Sequence, residues 1–180
     1  MLLGTERRTI RRKIYIAIAL AAFMAATTIG QTTKTAWKYE AVRDEMTDKQ
    51  IKTAAVESEN TFAFKFPYNG YNKAILMLKM HPRFGKSAAV AIIRGQITSK
   101  TVMVRFDDEA PMYFATGEAE SGRTNVVFIE DYAKFVSRMR KATKVLVEFT
   151  VYGEGRQTAR FNVSGFDPFS LITPSDVGGK

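Results

Sequence analysis

The sequence predicts a mainly β protein: an antiparallel β-sandwich or barrel-like body with one amphipathic helix, preceded by an N-terminal hydrophobic helix. Three observations carry that expectation. Apolar residues recur at every second position in segment after segment between residues 62 and 163, the pattern of strands with one buried face. Only residues 130–143 change to a helical period. Near the start, a basic cluster is followed by 20 residues without a charge, from Ile14 to Thr33, which is the layout of a signal peptide or signal anchor.

The N-terminal segments come first. Residues 1–13 hold Arg7, Arg8, Arg11, Arg12 and Lys13 against Glu6 alone. Residues 14–30 are apolar, with Ile14, Ile16, Ile18, Leu20, Phe23 and Met24 as the expected membrane anchor. A spanning helix takes about 20 apolar residues, with a range near 17–25, so this run is at the short end. The positive-inside rule keeps the basic segment in the cytoplasm and sends the residues after 34 across the inner membrane into the periplasm. A cleaved signal is the alternative: Thr28 and Gly30 suit the −3 and −1 positions, with a mature start at Gln31 and a soluble periplasmic protein as the product. The expected organisation is a basic cytoplasmic segment (1–13), an anchor or signal (14–30), a linker (31–36), a β-sandwich domain (37–168) and a flexible tail (169–180).

Composition removes several function classes. Apolar residues make up 46% and charged residues 25% of the chain, which are globular values and exclude bulk disorder. The absence of cysteine excludes disulfides, thiolate zinc sites, a cysteine nucleophile and iron–sulfur clusters. A single histidine, His81, excludes a multi-histidine metal site. Of the net charge of +9, +4 lies in residues 1–13, leaving +5 on the rest. Much of the basic excess is therefore topological, and nucleic acid is not an expected partner.

The body is read strand by strand. TAWKYEAV places Trp37, Tyr39 and Ala41 on one face, and RDEMTDKQ is a polar turn. IKTAAVESE reads as strand or helix, with a strand paired to TFAFKF favoured; in TFAFKF, Phe62, Phe64 and Phe66 share a face. Leu76, Leu78 and Met80 alternate until His81-Pro82 stops them. Residues 87–97 are almost continuously apolar and suit a central strand. Val102, Val104 and Phe106 alternate, MYFA follows Pro111, and TNVVFIE, KVLVEFTVY and RQTARFNVSGF complete the set. In the helical stretch, Tyr132, Phe135, Val136 and Met139 form one stripe behind the cap residue Asp131. The spacing predicts a helix that plugs one open end of the body. Gly153-Glu154-Gly155 lacks the third glycine of a nucleotide loop and reads as a hairpin turn.

Few residues suggest a site. His81 sits in a turn, and nothing in the sequence supplies the partner that a general base needs. Asp107, Asp108 and Glu109 could bind a cation or simply solvate a turn; Asp44, Glu45 and Asp48 are a weaker version. Asn162-Val163-Ser164 matches a glycosylation sequon. The Phe66–Tyr71 stretch is the best candidate for partner contact, through Tyr68, Asn69 and Tyr71, because tyrosine offers large contact area at small entropic cost. Lys65, Lys73, Lys79, Arg83 and Lys86 lie close to it in sequence.

The order W-K-Y, D-E-M-T-D, F-P-Y-N-G, G-Q-I, V-R-F-D-D and F-N-V-S-G-F resembles an uncharacterised family of exported envelope β proteins of Gram-negative bacteria and their mobile elements. The matched positions are Trp37, Tyr39, Asp44, Pro67, Tyr68, Gly70, Gly95, Gln96, Arg105, Phe106, Asp107 and Gly165. The resemblance implies export and a β fold, and no activity. Where family members carry a cysteine pair after G-Q, this chain has Ser99 and Met103.

The resulting expectation is a non-enzymatic envelope binding or assembly module, anchored in the inner membrane, with other envelope proteins as partners and no cofactor or catalytic residue. It would serve a secretion, conjugation or phage-related complex. Two alternatives stand beside it: a soluble periplasmic ligand-binding or enzyme-inhibitor protein, its ligand unspecified, and a hydrolase using Asp107 and Asp108.

Overall fold

The computed structural model describes residues 35–119 and 121–171. The anchor segment 14–30 and the end of the tail lie outside the described residues, among which no helix is long and apolar enough to cross a membrane. Nine strands form the body. They are β1 (Lys38–Arg43), β2 (Gln50–Glu57), β3 (Ala74–His81), β4 (Gly85–Ile92), β5 (Thr101–Phe106), β6 (Met112–Glu118), β7 (Val126–Ile129), β8 (Lys144–Val151) and β9 (Gly155–Asn162). Helix α1 (Tyr132–Met139) precedes β8, and a 3-10 turn (Pro168–Leu171) follows β9. All neighbours are antiparallel, in the order β1-β2-β3-β4-β7-β6-β5-β8-β9.

The result is one open sheet folded over a single core, and β6 is the strand that turns the corner. Its residues Met112–Ala115 pair with β5, whereas Thr116–Glu118 pair with β7. The inner faces of the two halves then meet. One half contributes Val56, Leu76, Leu78, Val90 and Ile92, the other Val102, Val104, Val145, Val147, Phe149 and Phe161, each at most 1% exposed. These are the period-2 positions of the sequence, because alternate side chains of a strand leave on opposite faces. Phe135 of α1 packs on Phe106 and Phe114, with ring centroids 5.6 and 5.7 Å away. The helix starts as its cap residue predicts: the Asp131 carboxylate accepts from the Lys134 amide at 3.0 Å.

Both outer strands need cover for their unpaired backbone groups. For β9 the cover is residues 58–60. The Glu59 amide donates to the Arg160 carbonyl at 2.7 Å. The Asn60 side chain donates to the Thr158 carbonyl at 3.0 Å and accepts from the Arg160 amide at 2.9 Å. Farther along, the buried Trp37 indole donates to the Val163 carbonyl at 3.1 Å and its ring lies 4.9 Å from that of Phe166. The chain after β9 thus crosses to the β1–β2 side and draws the two ends of the sheet together.

Three expectations need correction. TFAFKF is not a ladder strand: β2 already has β1 and β3 on its two edges, so residues 61–65 run extended along the body. Phe62 and Phe64 are buried there, whereas Phe66 is 89% exposed. The 87–97 run ends as a strand at Ile92, because Gly95 (φ +109°) turns the chain; Ile97 keeps a single bridge to Val151. TAWKYEAV does hold a first strand, β1, an edge strand exposed along its length behind the buried Trp37. The sandwich or barrel is an open nine-stranded sheet.

Replacing Asn60 with Ala removes two bonds from the β9 edge. At about 0.5–1.5 kcal/mol per hydrogen bond, urea unfolding should show a loss of about 1–3 kcal/mol with an unchanged denaturant slope. Asn60→Asp keeps only the acceptor and should lose less. An unchanged midpoint in Asn60→Ala would show that the clip does not hold β9.

Candidate functional site

Three loops meet where β2, β4 and β8 end: residues 58–73, 93–100 and 152–154. Their backbones are tied to one another. The Asn72 side chain is fully buried and brackets Arg94, donating to its carbonyl at 3.0 Å and accepting from its amide at 3.2 Å. The Arg94 guanidinium donates in turn to the Asn69 carbonyl at 2.8 Å. The Lys65 amide donates to the Glu154 carboxylate at 2.7 Å, and the Tyr152 amide to the Gln96 carbonyl at 2.9 Å.

Two glycines allow this proximity. A Cβ at Gly95 would lie 3.0 Å from Ile92 Cδ1 and 3.2 Å from Val151 Cγ1. A Cβ at Gly70 (φ +103°) would come 3.3 Å from the Arg94 guanidinium. Both sites need a positive φ and close approach, which only glycine tolerates without strain.

The tied loops display apolar side chains. Phe66, Tyr71 and Tyr152 are 89%, 61% and 65% exposed, and Ile93 is 43% exposed. Asn69 is exposed as well. Tyr68 differs from its neighbours: it is half-buried and packs against the core. Of the three residues expected to make contact, Asn69 and Tyr71 face solvent and Tyr68 packs against the core. Phe66, Ile93 and Tyr152 were missed. Phe66 looked like a core residue by alternation, and the other two come from loops distant in sequence.

The remaining candidates separate in space. Lys79, Arg83 and Lys86 lie at the far end of the β3–β4 hairpin, so only Lys65 and Lys73 adjoin the tyrosine loop. His81 accepts from the Arg83 amide through Nδ1 at 3.1 Å, and its ring lies 4.5 Å from that of Phe84. Asp107 turns inward at φ +44° and accepts from the Lys144 amide at 2.8 Å and from the Thr143 amide and hydroxyl at 3.0 and 2.9 Å. Asp108 pairs with Arg105 at 3.3 Å, and Glu109 with Arg138 at 2.7 Å. Each carboxylate of this triplet thus has its own partner. Asp44 is held by the Thr47 hydroxyl at 2.7 Å and by Arg83 at 3.3 Å, and Asp48 pairs with Arg43. Among the described residues no three His, Asp or Glu side chains gather as metal ligands would.

No protein-family model and no curated protein matches this chain. Among solved structures it is similar to the crystal structure of invasion associated protein B from Bartonella henselae, with 15% identity and a TM-score of 0.47 over 73% of this chain and 86% of that one. The likeness to exported envelope proteins therefore rests on the short sequence motifs alone.

Backbone amide bonds from Lys144, then the Thr143 hydroxyl, hold the Asp107 carboxyl below its ordinary pKa of 3.8. The Thr47 hydroxyl does the same for Asp44, opposed by burial and aided by Arg83. A pKa lowered by folding adds stability that is complete above the ordinary value and disappears as pH falls through the native one. Asp107→Asn keeps the left-handed backbone, which asparagine accepts. It should lower stability at pH 7 and flatten the loss between about pH 5 and pH 2 in urea unfolding. An acid limb identical to that of the unmodified protein would contradict this role.

Proposed function

We propose that this chain is a non-enzymatic binding and assembly module. In this reading, residues 14–30 tether the β body to the inner membrane, the basic N-terminus stays cytoplasmic, and the tied loops contact another envelope protein. The observation that carries the reading is the exposed group Phe66, Tyr71, Ile93 and Tyr152 on loops fixed to one another. Loops already ordered lose little entropy on binding. Aromatic side chains at the centre of a patch supply most of the energy of typical interfaces. The basic-then-apolar layout of residues 1–30 supports the tether.

The test uses the full chain at native expression, with a photo-reactive phenylalanine analogue in place of Tyr71 or, separately, of Tyr113, which is 70% exposed on β6. The reading predicts a discrete cross-linked protein from position 71 and none from position 113, with the full-length mass in the membrane fraction. Tyr71→Ala should leave stability within about 0.5 kcal/mol and Tyr68→Ala should cost about 1–3 kcal/mol. Equal cross-linking from both positions would contradict the reading, as would a soluble species beginning near Gln31.

A further inference from the structure

A groove of about 330 Å³ opens between α1 and the chain that follows β9. That places it at the lower end of ligand pockets, which span roughly 300–1,000 Å³. Met80, Tyr132, Val136, Phe166 and Leu171 give it an apolar lining, and Lys86 and Arg140 supply positive charge.

Three donors in this groove have no partner among the described residues: the Lys86 ammonium, the Arg140 guanidinium and the Tyr132 hydroxyl. Other polar groups nearby are engaged. Arg138 pairs with Glu109 at 2.7 Å, Asp131 caps the helix, and Asp167 accepts from the Ser170 hydroxyl at 2.6 Å. Burial holds the Tyr132 phenol above its ordinary pKa.

We propose that this groove binds a single-chain amphiphilic anion, its acyl chain between α1 and Phe166 and its carboxylate at Lys86 and Arg140. The cations would orient the head through charge-assisted hydrogen bonds, and the apolar lining would shield the chain from water. An extended peptide fits less well. Its buried backbone groups need partners; β3 is paired on both sides at Met80, and β4 is open on one side over Gly85–Ser87 alone, too short an edge for an extended peptide ladder. An acyl chain carries no such groups.

Trp37 is the only tryptophan, and its ring centroid is 4.9 Å from that of Phe166. It therefore reports on the groove. The full chain is placed in nanodiscs of neutral lipid and titrated with a dibrominated fatty-acid carboxylate, whose short-range quenching of indole emission extends past the Phe166 wall to Trp37. The proposal expects saturable quenching and at least a tenfold weaker apparent Kd in the double variant Lys86→Glu, Arg140→Glu. The matching dibrominated alcohol should be weaker by a similar factor. Ala133→Phe, at an exposed helix position facing the groove, should abolish quenching without changing the charge. Quenching equal in all variants would mean that the probe reaches Trp37 by a route other than the groove, and would overturn the proposal. So would no quenching, or full displacement by vesicles of anionic phospholipid but not by unlabelled fatty acid.

Discussion

The outer edge of β9 carries the donors and acceptors that its pairing with β8 leaves unused, and the rest of the architecture depends on how they are covered. A sheet of nine strands has two such edges, and an open edge invites pairing with another chain. At β1, charged Lys38, Glu40 and Arg43 occupy the exposed strand, a common device against edge-to-edge association. At β9, Asn60 and Glu59 supply the missing bonds from the opposite end of the sheet. Trp37 and Phe166 continue the same seam with an indole bond and a ring contact. Through this seam the chain after β9 is directed over the β1–β2 side, where the Asp167 amide meets the Tyr39 hydroxyl at 2.6 Å.

Both candidate surfaces follow from that closure. Residues 58–60 are clipped to β9, which sets where the next stretch begins. Phe62 and Phe64 can then enter the core while Phe66 and Tyr71 remain outside. The Asn72–Arg94 bracket and the Lys65–Glu154 bond hold the three loops against each other. On the other side of the seam, Phe166 and Leu171 become one wall of the groove and α1 the other. A protein contact at the loops and an amphiphile in the groove would thus be borne by opposite ends of the β3–β4 hairpin.

The sequence was informative where burial is one-sided. In β3, β5 and β8 every second residue faces the core, so period 2 and the core list coincide. The Tyr132–Met139 helix was legible for the same reason at its own period. Failures occurred where another constraint outweighed alternation. Residues 62–66 alternate like a strand because Phe62 and Phe64 pack inward, yet no free ladder is within reach. The apolar run 87–97 conceals a turn, since only the positive φ of Gly95 distinguishes it. The site was harder to read than the fold. The loops of Ile93 and Tyr152 are tied to that of Tyr71 only by bonds spanning 22 to 89 residues, and no local pattern records them. Asn60, Asn72 and Ser58 look like ordinary loop polar residues, although Asn72 and Ser58 are fully buried and all three fix backbone to backbone.

Both candidate surfaces depend on the seam between the ends of the sheet, and the Trp37 indole proton reports on it directly. Its resonance is unique because the chain has one tryptophan. If the seam is closed in solution, that proton, on an indole nitrogen 3.1 Å from the Val163 carbonyl oxygen, exchanges with solvent deuterium only on global opening, as slowly as the core amides of β8. Exchange many orders of magnitude faster than those amides would show that the ends of the sheet part in the native state, and both the tied loops and the groove would lose their foundation.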